Sequence, residues 1–176
     1  MTRELETRVD LKVDAYLPAD YVAEDKQRME MYKRIASIVT DDDRADVTDE
    51  LIDRYGDPPQ PVKSLLDVSQ LRALCNRVGI SQVTRGKEGL VMKLDARYVP
   101  DPALLLQAIA DTDGRLVLSA RAPAALMLKD PKLQERDACT EALRVMRKLT
   151  GRLKELEEKK KAEEEAAAAE NGESKP

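Results

Sequence analysis

Polar and apolar positions alternate near the start of the chain, where Asp10, Lys12 and Asp14 separate Val9, Leu11, Val13 and Ala15. That period of two predicts a half-buried strand, closed by Pro18. From about Glu24 the period lengthens, and Met29, Tyr32, Ile35, Ala36 and Val39 share one helical face. Asp41-Asp42-Asp43 ends that helix and supplies an N-cap and an acidic first turn to the next. On this second helix Val47, Leu51 and Tyr55 recur at i, i+4 and i+8, and Gly56 with Pro58-Pro59 stops it. A third helix from Pro61 to about Val78 spreads its apolar residues over more than one stripe, which places it centrally. Gly79 ends it.

Ile80–Thr84 and Leu90–Leu94 flank a glycine-bearing loop and predict a hairpin. Asp101-Pro102 opens a helix carrying Leu104, Leu105, Ala108 and Ile109. Leu116 and Leu118, then Leu126 and Leu128, form a further strand pair around Ala122-Pro123, and a long helix runs from Pro131 at least to Leu156. Beyond Lys159 the composition favours helix but offers no apolar face, and Asn171 onward is expected to be disordered. The expected fold is α+β: a small, mostly antiparallel sheet of about five strands covered by helices, with a long C-terminal helix. The expected boundaries are a linker over 1–8, one domain over 9–156 and a charged Ala/Glu-rich tail over 157–176.

Composition narrows the chemistry. The 176 residues include 30 Lys plus Arg against 34 Asp plus Glu, and 36% of the chain is charged, above the roughly 25% of an average chain. Much of the excess lies in the tail, since the first 151 residues hold 24 basic and 26 acidic side chains. There is no His, and so no imidazole base or ligand. Without Trp or Phe the core must be aliphatic, with five Tyr as its aromatics. Cys75 and Cys139 sit in apolar helical patterns and read as buried, reduced thiols, too few for a structural zinc site. A pI near 5.1 argues against direct nucleic-acid binding. With no 18-residue apolar run and no signal peptide, a cytoplasmic location without a membrane partner is expected.

The P-loop template fails, because Glu88 follows Gly86-Lys87 and Ser81 stands where its first glycine belongs. Gly86-Lys87-Glu88-Gly89 matches the G-x-x-G of an RNA-binding KH loop but lies between strands, where a hairpin turn is the simpler account. Asp41-Asp42-Asp43 lacks the ligand spacing of a calcium loop and fits a helix cap. A hydrolase or nuclease built on these aspartates is therefore the least supported class, and no catalytic, cofactor or metal residue is assigned. Cys139, Ala142, Met146, Leu149, Leu153 and Leu156 form a heptad seam of about two and a half repeats. That seam packs either on its own domain or on a partner helix. On the second helix Glu50, Asp53 and Arg54 lie at i, i+3 and i+4 beside the apolar stripe. They form either a solvated ion-pair face or a polar, reversible docking surface.

The segments LPADYV (Leu17–Val22), MYKRIA (Met31–Ala36) and ELIDRYGDPP (Glu50–Pro59), in that order, resemble the C-terminal domain of bacterial transcription–repair coupling factors, the Mfd family. The spaced pattern from Leu65 to Cys75 and Gly79-Ile80 continue the likeness, which covers about Val9 to Leu94 and more loosely runs to Lys129. The resemblance implies a regulatory domain of an ATP-driven DNA translocase in transcription-coupled nucleotide-excision repair. Such a domain is neither motor nor polymerase contact. It packs on the parent's UvrB-like module, covers the surface that would bind UvrA, and restrains the motor. In that family the helix of the ELIDR motif faces the module, which makes Glu50, Asp53 and Arg54 the expected contact residues. A monomer without cofactor, catalysis or direct nucleic-acid contact is expected. The rival reading is a stand-alone adaptor that binds a partner helix, or itself, through the heptad seam.

Overall fold

A computed structural model describes residues 4–119 and 121–173. The described elements run β1 (Arg8–Asp10), α1 (Asp25–Ala36), α2 (Asp41–Tyr55), α3 (Gln60–Val78), β2 (Ile80–Gly86), β3 (Gly89–Leu94), α4 (Pro102–Thr112), β4 (Leu116–Ser119), β5 (Ala125–Lys129) and α5 (Ala138–Glu173), with short 3-10 turns before α4 and α5. The fold is α+β, with a five-stranded sheet in the order β1-β2-β3-β5-β4. Only the β1–β2 pairing is parallel, so the sheet is mixed.

The first strand is shorter than its alternation suggests. Arg8–Asp10 pairs with Gln82–Thr84, whereas Leu11, Val13 and Ala15 pack half-buried on the core without a ladder. A period of two reports an extended chain with one face buried; it does not name a pairing partner. Thr7, inside the segment expected to be a linker, is buried and donates from Oγ1 to the Ile80 carbonyl at 2.7 Å.

Helix α1 buries Met31 and Ile35, while Met29 (60% exposed) and Val39 (49%) face solvent. The buried stripe is thus rotated round the helix from the expected one. The helix ends at Ala36, so Val39 lies beyond it, and Ile38 goes into the core instead. The cap of α2 also differs from expectation. Thr40 is the N-cap, and its Oγ1 accepts from the Asp43 N–H while the Asp43 carboxylate accepts from the Thr40 N–H. This capping box leaves the expected acidic first turn in place.

Two hydrophobic clusters meet along α3. One joins Leu17, Val22, α1 and α2 to Val62 and Leu66 at the N-terminal half of α3. The other joins the sheet, α4 and α5 to the C-terminal half from Val68 to Val78. A helix that serves two cores must be apolar on most sides, the pattern its sequence carries. Gly79 (φ +88) ends α3 in the left-handed region, and a Cβ there would stand 3.0 Å from Tyr98 and Val99, too tight unless they shift. The paired glycines Gly86 and Gly89 close the β2–β3 hairpin, the turn expected of the G-x-x-G segment.

Helix α5 begins at Ala138, because Pro131–Asp137 forms a loop and a 3-10 turn that seats Leu133 in the core. Its heptad residues Cys139, Ala142, Met146, Leu149, Leu153 and Leu156 are all buried in the sheet-side core. The seam is thus occupied by the domain itself. The helix continues to Glu173, past the Asn171 at which disorder was expected. Residues 158–172 are exposed throughout, and Lys160 reaches back to Asp101 at 2.9 Å, an exposed, solvent-screened pair that adds little to the fold. Truncation after Leu156 should therefore change unfolding stability by less than about 1 kcal/mol in a urea titration.

A five-member ion network ties the β4–β5 end to α5. Arg115 contacts Asp113 (2.9 Å), Asp130 (3.3 Å) and Glu141 (2.9 Å), and Arg144 adds Glu141 and Asp113. Hydrogen bonding from Arg115 holds the Asp113 carboxyl well below the usual carboxylate range. Hydrogen bonds from Arg144, then Arg115, lower Glu141 from its ordinary 4.5 to about 2. A carboxylate whose pKa is depressed by folding stabilises above its unfolded value and loses that contribution as pH falls through the folded one. Stability should thus decline between about pH 5 and pH 2, with Glu141 supplying on the order of 1–2 kcal/mol after solvent screening. Glu141→Gln should flatten that part of the pH profile of the denaturation midpoint.

Candidate docking surface

The inner face of α2 is committed to the core through Val47 and Leu51, with Tyr55 half-buried below them. Tyr21 donates to the Gly56 carbonyl at 2.8 Å and its ring lies 5.8 Å from that of Tyr55, so the end of the helix is fixed. Its outer arc therefore stands at a defined place on the surface.

Glu50 and Arg54 come together there, 3.8 Å apart. Glu50 also accepts from Arg34 Nε at 3.2 Å, across the groove to α1. Arg34 was not foreseen, since no spacing within α2 points to a residue sixteen positions upstream on another helix. Arg54 leans inward as well. Its guanidinium lies 5.1 Å from the centre of the Tyr55 ring, and Nη1 is 3.8 Å from Met31 Sδ. Asp53 is exposed and makes no ion pair or hydrogen bond among the described residues. The structure thus joins two of the three expected residues and leaves the third separate. Glu50, Arg54, Arg34, Lys33 and Met31 line a shallow depression of about 390 Å³, of which Asp53 is not part.

These charges do little for the fold. Both partners of each pair are a third or more exposed, and such pairs contribute about 0–1 kcal/mol. The arrangement presents carboxylates and a guanidinium in fixed positions. Among the described residues no three His, Cys, Asp or Glu side chains converge to hold a metal ion. Both cysteines are buried and unbridged, and burial pushes the Cys139 thiol up to about 11 and Cys75 higher still, so neither is reactive. No described helix is long and apolar enough to cross a membrane.

The class these features define is an α+β domain with a preformed charged face on its helical lobe. The TRCF domain model matches residues 11–105, and the chain belongs to that family. A transcription-repair-coupling factor from Mycobacterium bovis is 45% identical over 98 residues, 56% of this chain and 8% of that protein. The factor from Staphylococcus aureus is 32% identical over 124 residues, 70% of this chain and 10% of that protein. The chain therefore spans about a tenth of the relatives it matches. A crystal structure of the C-terminal domain of a transcription-repair coupling factor superposes with a TM-score of 0.72 at 19% identity, covering 88% of this chain and 99% of that one. At that identity the likeness establishes the fold. The family and fold inferred from the ordered motifs hold.

Proposed function

We propose that this chain is the regulatory domain of a transcription-coupled DNA-repair translocase. In this reading it docks through Glu50, Asp53 and Arg54 onto the parent's UvrB-like module, masks the surface that would bind UvrA, and restrains the motor. The observation that supports it is the outer arc of α2, a set of charges held in place yet nearly idle in the fold. Charged groups that add little to stability gain value at an interface, where removing one member of a desolvated pair strands the other. The chain itself supplies no catalysis, cofactor site or direct nucleic-acid contact in this reading. The adaptor alternative loses its surface, because the heptad seam lies inside the core.

The test uses a full-length parent carrying Glu50→Ala, Asp53→Ala and Arg54→Ala. Capture of UvrA should rise about tenfold, equivalent to about 1.4 kcal/mol of lost docking, and ATP turnover should rise with it. Arg54 packs on Tyr55 and Met31, so a melting curve must accompany the triple variant. Asp53→Lys is the cleaner probe, because Asp53 makes no ion pair or hydrogen bond among the described residues. Unchanged UvrA capture with an intact fold in both variants overturns the assignment.

A further inference from the structure

A second surface, with different lining residues, lies along the exposed face of α3. A groove of about 420 Å³ runs beside it from Leu5–Thr7 past Ile38 and Val39. A smaller hollow of about 200 Å³ shares Val39 and Arg77 with it and continues to Gly151 and Lys154 on α5. The floor is largely apolar, with Ile38, Ala73, Leu74 and Gly151, and Ser69 and Asn76 lie among them. Nothing lies within 4 Å of where a Cβ on Gly151 would stand, so that end is open.

The rim is cationic. Arg72, Arg77 and Lys154 are exposed and make no ion pair or hydrogen bond among the described residues. Arg147, beside them, is already matched to Asp41 at 3.3 Å. The other acid on the lining is Glu6, at the far end. Three cations without an ion pair or hydrogen bond among the described residues thus stand around one largely apolar floor, and their charge complements an acidic occupant.

The chain also holds a segment of that chemistry. The end of α5 carries Glu163, Glu164, Glu165 and Glu170 around Ala166–Ala169 and is exposed throughout, and among the described residues those glutamates make no ion pair within 4.0 Å. A helix of this length with no packing partner is marginal in water. It cannot fold back into its own groove, because Gly151 and Lys154 form the groove wall on the same unbroken helix. Glu163 lies nine residues, about 14 Å, farther along the axis.

We propose that the groove receives the acidic, alanine-rich end of α5 from a second copy of the chain. The alanines lie on the largely apolar floor and the glutamates face Arg72, Arg77 and Lys154. This departs from the monomer expected from the sequence, and it is independent of the docking face on α2. The association is electrostatic and reversible, and it weakens as salt shortens the Debye length.

Sedimentation equilibrium of the full chain tests it with two variants. One reverses the groove (Arg72→Glu, Arg77→Glu, Lys154→Glu), and the other reverses the tail (Glu163→Lys, Glu164→Lys, Glu165→Lys). At about 100 μM protein and low salt, the unaltered chain should have an average mass well above 19.7 kDa, falling to that value in about 0.5 M salt. Each variant alone should be monomeric, since its groove and tail now repel. An equimolar mixture should recover the higher mass, because each groove then meets a tail of opposite charge. To separate misfolding from lost contact, a fluorescent peptide of residues 157–173 should bind the unaltered chain at least tenfold more tightly at low salt than in 0.5 M salt. A monomeric unaltered chain overturns the proposal. So does a higher mass that survives both reversals, a mixture that stays monomeric, or a peptide that fails to bind.

Discussion

Gly89→Ala should cost the domain at least about 3 kcal/mol, enough to remove much of the roughly 5–15 kcal/mol that holds a domain of this size together. Gly89 opens β3 with φ +132, a conformation L side chains rarely adopt. The position is also closed sterically. A Cβ there would stand 2.0 Å from the Leu128 carbonyl oxygen and 2.7 Å from the Asp130 nitrogen, both backbone atoms of the neighbouring chain segment. Neither can give way alone. Gly89 is in register with Lys129, the Asp130 N–H donates to the Glu88 carbonyl at 2.7 Å, and the Lys129 N–H donates to the Arg115 carbonyl at 2.9 Å. Relief would have to separate the hairpin turn from β5 and disturb the Arg115 network with it. Gly151→Ala is the contrasting change. It lies inside α5 in open space, so removing a helix-interior glycine should stabilise by about 0.5–1 kcal/mol. Urea midpoints of the two variants should move in opposite directions. A Gly89→Ala unfolding free energy within about 1 kcal/mol of the unaltered chain would mean that the turn and β5 are far more yielding than their hydrogen bonds indicate.

Legibility in the sequence followed the range of the interactions. Elements set by local rules could be read from the chain: the stripe of α2, the glycine stop of α3, the hairpin around Gly86–Gly89 and the seam of α5. Features decided by distant partners could not. The parallel pairing of Arg8–Asp10 with β2 depends on where α1 to α3 return the chain, which no window around Val9 contains. The buried face of α1 was misjudged because Met29 and Met31 are equally apolar, and only packing against α2 and α3 selects Met31. Leu133 falls within the helix expected from Pro131 yet enters the core from a loop. The candidate site divides the same way. Glu50 and Arg54 share a helical arc and could be read as a pair, whereas Arg34 joins them only through tertiary contact.

The division into two cores carries a functional consequence, because the proposed docking face belongs wholly to the smaller one. It joins the rest along α3, and α2 reaches α5 there through a polar junction centred on the buried Gln70. Gln70, 1% exposed, accepts from Arg44 Nη1 at 3.1 Å and from Arg147 Nη2 at 2.8 Å. Its Nε2 donates to Asp41, so α2, α3 and α5 converge on one side chain. Gln70→Ala should destabilise by about 2–3 kcal/mol, through loss of hydrogen bonds to charged groups and the void left among them. Arg44 keeps Asp67 at 2.6 Å and Arg147 keeps Asp41. Those retained pairs hold the cost to that range, since neither guanidinium is left stranded. The loss should fall unevenly. Amides of α2 should lose hydrogen-exchange protection by a larger factor than those of β3, because the junction anchors the helical lobe while the sheet-side core keeps its own contacts. Equal loss in both would show that the two cores open as one unit and that α3 transmits disorder freely. If α2 loosens first, Gln70→Ala should weaken docking in the full-length parent while leaving Glu50, Asp53 and Arg54 intact, by loosening the helix that presents them.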